Sequence, residues 1–168
     1  MNGIVVYYSK YGATRTYAEW LSQEIGIPAV EYKTVKLDGL DPYNFIVFGS
    51  PLYLGRIVLA KTIKKHWHRF KSKRLVLFTV GSTRDPIQID AVVKRYFTPA
   101  QLNAMPHFYM LGRSEIGRLN PLDGFLTKTA AAFTKDPEEK RMLKEGFDGM
   151  RRENLSRLVG HIKTLTAK

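Results

Sequence analysis

The chain has 168 residues, of which 44% are hydrophobic and 25% are charged, a composition typical of one globular domain with a buried core. It contains no cysteine, which excludes disulfides, thiolate catalysis and Cys-based metal sites, and it has no apolar run of the roughly 20 residues that span a bilayer. Lysine and arginine number 27 against 15 acidic residues, and the net charge of +12 favours an acidic partner, an anionic membrane surface or a ligand bearing phosphate or carboxylate groups.

Apolar runs alternate with helical patterns along the chain. Five runs are predicted as strands, at residues 3–8, 28–35, 45–50, 74–81 and 107–112. Apolar residues at helical spacing predict helices between them, within 13–25, over 57–70, after Asp85-Pro86 and over roughly 151–166. Because the strands lack clean alternation, both faces of their sheet are expected to be covered. The pattern predicts one α/β domain over 1–168 with a doubly wound, five-stranded parallel sheet.

One segment is longer than a normal strand-to-helix loop. Residues 113–137 hold enough chain for an inserted helix over 121–133, using Leu122, Phe125, Leu126 and Thr129. We interpret the segment as a helical insertion after the last strand, on the binding side of the domain.

The loop after the first strand combines hydroxyls with a glycine. In Ser-Lys-Tyr-Gly-Ala-Thr, residues 9–14, Ser9 and Thr14 are hydrogen-bond donors and Gly12 permits a sharp turn. A strand-to-helix turn also presents unpaired N–H groups, so the loop can cradle a phosphate. It matches neither of the two standard Gly-rich phosphate fingerprints, and the alternative is that Ser9 and Thr14 only cap the helix.

Three stretches carry a resemblance to a known family: YSKYGATR at 8–15, YNFIVFGSPLYLGR at 43–56 and LDGFL at 122–126. The first resembles the phosphate loop of flavodoxins. Together they resemble the flavodoxin-domain family that includes menaquinone-dependent protoporphyrinogen oxidase. The resemblance implies a flavodoxin-like fold, bound FMN and redox chemistry.

The resemblance also implies which residues would bind FMN. The phosphate would be surrounded by Ser9, Lys10, Tyr11, Gly12, Ala13 and Thr14. The isoalloxazine would lie along Pro51, Leu52, Tyr53, Leu54 and Gly55. A third loop would contribute Gly81, Ser82 and Thr83. The alternatives for the second loop are an ordinary strand-ending turn and core packing of Tyr53.

Two features favour an oxidoreductase over an electron carrier. Carrier flavodoxins are acidic as a family and commonly cover the flavin with aromatic side chains, whereas this chain carries +12 and its third loop, GSTRDP, has no aromatic residue. Basic surroundings raise a flavin's reduction potential, which suits a small-molecule redox substrate such as a porphyrinogen with a quinone as acceptor.

Four arginines are expected around the opening of the flavin site, where they would face substrate carboxylates or simply solvent: Arg56, Arg84, Arg113 and Arg118. A carrier with a basic docking face is the alternative, and a related module that has lost FMN is a second.

Residues 56–74 contain eight lysines or arginines and no acidic residue. Lys61, Lys64, Lys65 and Arg69 share one predicted helix face, which can lie on an anionic membrane or be merely solvated. Nucleic-acid binding is disfavoured because Trp67 and Phe70 fall on the inward face. The N-terminus lacks a secretory signal pattern, so we expect a cytoplasmic protein, with peripheral contact at the inner face of the membrane as an option.

No side chain is identified as a general base or a metal ligand. The four histidines, at positions 66, 68, 107 and 161, are scattered along the chain. Catalytic residues therefore stay unassigned, and no metal site is predicted.

Overall fold

The computed structural model describes residues 2–166. Within these residues the strands are β1 Gly3–Tyr7, β2 Ala29–Glu31, β3 Phe45–Tyr53, β4 Arg56–Ile57, β5 Arg74–Gly81, β6 His107–Leu111, β7 Arg113–Ser114 and β8 Phe147–Asp148. The α-helices of the same range are α1 Ala13–Ile25, α2 Ala60–Lys65, α3 Trp67–Phe70, α4 Pro86–Tyr96, α5 Pro99–Ala104, α6 Pro121–Phe133, α7 Pro137–Glu145 and α8 Ser156–Thr166.

Five of the strands form the predicted parallel sheet, in the order β2-β1-β3-β5-β6. From β1 the chain moves outward to β2 and then crosses back to β3 on the other side of β1. The strand order therefore reverses between β1 and β3, and the loops that leave these two strands diverge to opposite faces of the sheet. In an open parallel sheet, a ligand crevice forms at this point beyond the carboxyl ends of the strands.

Both faces of the sheet are covered, as the unbroken apolar runs predicted. Ile4 and Val6 pack into a core with α2 to α5, whereas Val5 and Tyr7 pack into a second core with α1 and α8. Successive residues of a strand point to opposite faces, so a strand between two cores needs an apolar residue at every position.

Two predicted elements differ most from the structure. β2 spans only three residues because it pairs with β1 alone, from Val5↔Ala29 to Tyr7↔Glu31, and β1 ends at Tyr7. The helix predicted over 57–70 begins only at Ala60, since Arg56–Ile57 form β4, and it is divided into α2 and α3 at His66, which leaves helical geometry (φ −109°, ψ 18°). The break directs Phe70 onto Phe48, with ring centroids 5.2 Å apart.

The segment after β6 is a helical insertion, and its first helix has the predicted bounds of 121–133. A second helix, α7, lies beyond the predicted end at about 137. β7 and β8 pair antiparallel at the two ends of the segment, so the insertion is a closed unit over 113–148.

His107 in β6 has an unusual environment for an ionisable group. Its Nε2 lies 2.7 Å from the Thr79 hydroxyl of the adjacent strand β5. Burial lowers the pKa of His107 to about 4, although the nearby Asp90 opposes this shift. The folded protein therefore holds a neutral imidazole in a pH range where the unfolded chain is protonated.

We predict that His107 makes folding sensitive to mild acid. Because its folded pKa lies below the unfolded value of about 6.5, the unfolded state binds more protons between these values, and stability falls as the pH drops from about 6.5 towards 4. The loss amounts to on the order of 3 kcal/mol over that window. Melting temperatures recorded from pH 7 to 4.5 should fall less steeply for His107→Gln than for the parent. His68→Gln, at an exposed position, serves as the control, and equal slopes for all three proteins would contradict the prediction.

Candidate functional site

A pocket of about 1020 Å³, counting the part open to solvent, lies at the carboxyl ends of the strands. It is lined by eleven of the fourteen predicted site residues: Ser9, Lys10, Tyr11, Ala13, Thr14, Pro51, Leu52, Tyr53, Leu54, Gly81 and Ser82. Gly12, Gly55 and Thr83 belong to the same three loops but do not line the pocket.

The loop after β1 turns at Gly12, where φ is +93°, and α1 begins at the next residue. Ser9 Oγ accepts a hydrogen bond of 3.1 Å from the Gly12 N–H, and Thr14 is buried in the first turn of α1. Ser9 therefore stabilises the turn, and its hydroxyl hydrogen remains available to donate to a ligand. The N-cap residue of α1 is Gly12, and no side chain makes a cap hydrogen bond to this helix among the described residues. The capping role that the sequence offered as the alternative for Ser9 and Thr14 is therefore not what the structure shows.

The second loop is a tight hairpin between β3 and β4. Leu52 pairs with Ile57 and Tyr53 with Arg56, so Leu54 and Gly55 alone form the turn, with φ of +47° and +68°. Two positive φ values are typical of the two-residue hairpin turn that matches strand twist. The turn holds Tyr53 and Leu54 at the pocket, and Gly55 provides the backbone conformation.

Hydrogen bonds from β6 and from Gly112, the residue that follows it, hold the third loop in place. The Tyr109 hydroxyl donates to the Thr83 carbonyl at 2.7 Å, and the Gly112 N–H donates to the Gly81 carbonyl at 2.8 Å. A Cβ at Gly81 would lie 3.1 Å from the Leu52 carbonyl oxygen, so the second and third loops meet closely at this residue. Thr83 therefore supports the loop, while Gly81 and Ser82 face the pocket.

The insertion forms one wall of the pocket, and the sequence did not predict which of its residues line that wall. Its lining residues are Arg113, Ser114, Glu115, Leu119, Thr127, Ala130, Met142, Leu143 and Phe147, with Val80 and Gly112 from the strand ends. The predicted apolar face of α6 is wrong: Leu122 and Phe125 are each 66% exposed, and the small Thr127 and Ala131 face inward. The spacing of small residues at 127, 130 and 131 was the available signal for this face.

The orientation of α6 is set by a buried carboxylate. Asp123 is 2% exposed, and its Oδ2 lies 2.5 Å from Lys10 Nζ and accepts a hydrogen bond from the Tyr11 hydroxyl. Lys10 Nζ also lies 4.6 Å from the centre of the Tyr53 ring. Asn120 caps α6 by accepting from the Asp123 N–H at 2.8 Å. We call these contacts of Lys10, Tyr11, Tyr53 and Asp123 the Asp123 cluster.

The protonation states within the Asp123 cluster follow from burial and hydrogen bonding. Burial disfavours the charge on Asp123, but the hydrogen bonds from Lys10 and Tyr11, together with the nearby Tyr53 hydroxyl, outweigh it and lower the pKa of this carboxyl. Burial raises the pKa of Tyr53, and the neighbouring carboxylate raises it further. The pKa of Tyr11 is raised by burial and by its hydrogen bond to Asp123. At neutral pH the cluster therefore contains a carboxylate and two phenols, not a phenolate.

The Tyr53 hydroxyl is buried beside Asp123. Among the described residues it makes no hydrogen bond that meets normal distance and angle limits. A buried hydroxyl without a well-formed partner is unusual in a folded protein.

Of the three expected arginines whose side chains the structure describes, one lines the pocket. This is Arg113, whereas Arg84 forms an ion pair with Glu138 of α7, and Arg56 is exposed on β4 and is not among the lining residues. The side chain of Arg118 lies outside the described residues. Arg84 was expected to face a substrate, but its charge is paired with Glu138 of the insertion.

The predicted basic face is partly neutralised. Lys61, Lys64 and Lys65 are exposed on α2. Arg69, on α3, lies 2.8 Å from Asp38 and 2.9 Å from Asp41. The exposed positive charge of this face is therefore carried by the three lysines.

Among the described side chains, no group of three or more histidine, aspartate or glutamate residues is arranged to hold a metal ion. No described helix has the length and apolar character needed to cross a membrane.

Comparisons with known proteins agree with the fold. Residues 4–141 match the model of a family described as "Flavodoxin domain". No curated protein matches the chain. Similar solved structures include two-electron reduced flavodoxin from Megasphaera elsdenii, with 16% identity over 65% of this chain and 85% of that one and a TM-score of 0.50.

Two further solved structures cover more of the chain. The Trp repressor binding protein of Bacillus subtilis is 12% identical over 80% of this chain and 99% of its own, with a TM-score of 0.50. A flavodoxin from the domain Archaea is 20% identical over 85% and 94%, with a TM-score of 0.43. At these identities the likeness concerns the fold.

We predict that Asp123 holds the insertion against the first loop. Asp123→Asn should lower the free energy of unfolding by about 2 kcal/mol, because a hydrogen-bonded ion pair loses its charge and Lys10 is left uncompensated. Amide hydrogen exchange should rise mainly within residues 115–145. Asp90→Asn, which removes an exposed ion pair with Lys94 on α4, is the matched control and should cost about 0.5 kcal/mol or less. Equal exchange in the two variants would show that Asp123 does not hold the insertion.

Proposed function

The chain belongs to the flavodoxin domain family, and we propose from this premise that its pocket binds FMN and that the protein is a redox flavoprotein. The observation that carries the proposal is the convergence of the three loops on one pocket at the point where strand order reverses. Bound FMN would supply the electron-transfer chemistry, and the protein would supply binding, orientation and electrostatics.

The residues present fit the cofactor at both ends. At the phosphate end, the turn at Gly12 and the hydroxyls of Ser9 and Thr14 suit a phosphate monoester. At the ring end, Pro51 to Leu54 offer an apolar and aromatic wall, with Phe147 of the insertion lining the same pocket. Asp123 is an anion near this site, but Lys10 compensates its charge.

We further propose an oxidoreductase similar to quinone-dependent protoporphyrinogen oxidase. The support is the sequence resemblance over 8–15, 43–56 and 122–126, the net charge of +12 and the absence of an aromatic residue in the third loop. In each turnover a hydride and a proton would leave the porphyrinogen, and a quinone would take up the electron pair with two protons to form the quinol. The test is porphyrinogen oxidation by the FMN-loaded protein with a menaquinone analogue, and absence of turnover would overturn this finer proposal.

The second candidate is a non-enzymatic electron carrier with a basic docking face. The three exposed lysines of α2 favour it, since they could dock an acidic protein. A carrier would exchange electrons with a reductase protein and would not oxidise porphyrinogen. The same turnover assay therefore separates the two candidates.

We also propose peripheral contact with anionic membranes through Lys61, Lys64 and Lys65. Replacing all three with Gln should weaken binding to phosphatidylserine-containing vesicles, because each cation near the headgroups contributes about 1 kcal/mol. Flavin content should stay unchanged. A charge-matched control replaces the exposed Arg151, Arg152 and Arg157 with Gln. If both triple variants lose binding equally, net charge and not this face is responsible.

The first test of FMN binding uses the first loop. Gly12→Val should lose bound flavin, because a β-branched residue is strained at a φ of +93° and its side chain would extend towards the Arg113 guanidinium. Gly26→Val is a matched control, since Gly26 also has a positive φ (+68°) but ends α1 away from the pocket. Visible spectra and mass analysis of released cofactor would report flavin content. A Gly12→Val protein that purifies with stoichiometric FMN would contradict the placement of the site.

A further inference from the structure

We infer that Arg113 is the charged ligand of the cofactor phosphate and that it makes the pocket prefer phosphorylated flavin over riboflavin. The inference rests on the proposed function, because it names a residue that acts at the same site. Neither the fourteen residues expected from the sequence nor the loop after β1 includes this side chain.

The backbone around Arg113 is held in place by the sheet. The preceding residue, Gly112, donates to the Gly81 carbonyl at 2.8 Å and accepts from the Gly149 N–H at 2.9 Å. A Cβ at Gly112 would lie 3.8 Å from the Cβ of Ala13, the first residue of α1. Arg113 therefore starts from a fixed point beside the N-terminus of α1.

The guanidinium extends over the phosphate loop. Arg113 Nη2 lies 3.7 Å from the position that a Cβ would occupy at Gly12. Because Gly12 has no side chain, this guanidinium lies close to the backbone of the phosphate loop. Loop amides and a planar, doubly donating cation at the same place suit a phosphate.

One donor of Arg113 is buried without a hydrogen-bond partner among the described residues. This donor is Nε, and the nearest carboxylate oxygen of Glu115 is 3.6 Å away, beyond normal hydrogen-bonding distance. A buried donor that stays unpaired is unfavourable, and a ligand oxygen would satisfy it. Glu115 balances part of the charge but leaves the hydrogen-bonding capacity of the guanidinium available.

The other cation of the pocket is already engaged. Lys10 Nζ is 2.5 Å from the buried Asp123 carboxylate. Lys10 and Arg113 are the basic side chains that line the pocket among the described residues. Lys10 contacts the insertion through Asp123, and Arg113 lies beside the loop, where it can bind a charged group of a ligand.

The test measures binding of two flavins that differ only in the phosphate. FMN and riboflavin are titrated into flavin-free protein, and flavin fluorescence gives Kd for the parent, Arg113→Gln, Arg113→Lys and Arg95→Gln. Arg113→Gln should weaken FMN binding about tenfold or more, because hydrogen bonds to charged groups are the strong ones, and change riboflavin binding by about twofold or less. Arg113→Lys should be intermediate, because the charge remains and the planar fork is lost. Arg95→Gln, an exposed change of equal charge on α4, should behave like the parent.

Salt dependence provides a measurement that does not need the Gln variant to fold well. FMN affinity of the parent should fall with ionic strength more steeply than that of riboflavin. Equal loss of affinity for both flavins in Arg113→Gln, or no loss for FMN, overturns the assignment of Arg113 while leaving FMN binding intact. A parent protein that binds neither flavin overturns the proposed function itself, so the two failures are distinguishable.

Discussion

The parallel pairing of β1 with β3 is the constraint on which the rest of this structure depends. Because β2 lies on one side of β1 and β3 and β5 on the other, the loops leaving β1 and β3 diverge and open a crevice at the carboxyl edge. The turn at Gly12 and the hairpin at Leu54-Gly55 both face this crevice. Positive φ values occur at both turns because the backbone must reverse direction within a few residues without closing the crevice.

The insertion changes the character of this crevice from a shallow edge site to a walled pocket. Its attachment depends on Asp123, a buried carboxylate whose desolvation is offset by Lys10 and Tyr11 of the first loop. Because Lys10 is engaged in this ion pair, it is not available to pair with a charged group of a ligand. Positive charge at the loop is then supplied by Arg113, which enters from the first residue of the insertion. The insertion therefore both compensates one cation and contributes another.

The charge distribution connects the pocket with the proposed activity. The net charge of +12 is not concentrated at the mouth, since Arg84 pairs with Glu138 and Arg69 with two aspartates. Among the described side chains, Arg113 lines the pocket with its Nε 3.6 Å from the Glu115 carboxylate, and Lys61, Lys64 and Lys65 are exposed on α2. Local cations stabilise the reduced, more negative form of a flavin, as an acceptor of electrons from an organic substrate requires. The three exposed lysines of α2 lie outside the pocket, so their proposed role is to contact a membrane or a protein partner and not the flavin.

Local patterns in the sequence determined the five strands of the main sheet, several helices and the three loops, but not the short elements β4, β7 and β8 or the helices α5 and α7. β5 over 74–81 and α6 over 121–133 have the predicted bounds because apolar periodicity, proline and glycine act within a few residues. Which face of α6 is buried, and which cations face the pocket, were decided by tertiary structure. Tyr11 and Asp123 are 112 positions apart, and Arg113 meets Gly12 from across the domain. A lone charged residue carries no periodic signal, so its role is set only when folding brings its partner beside it.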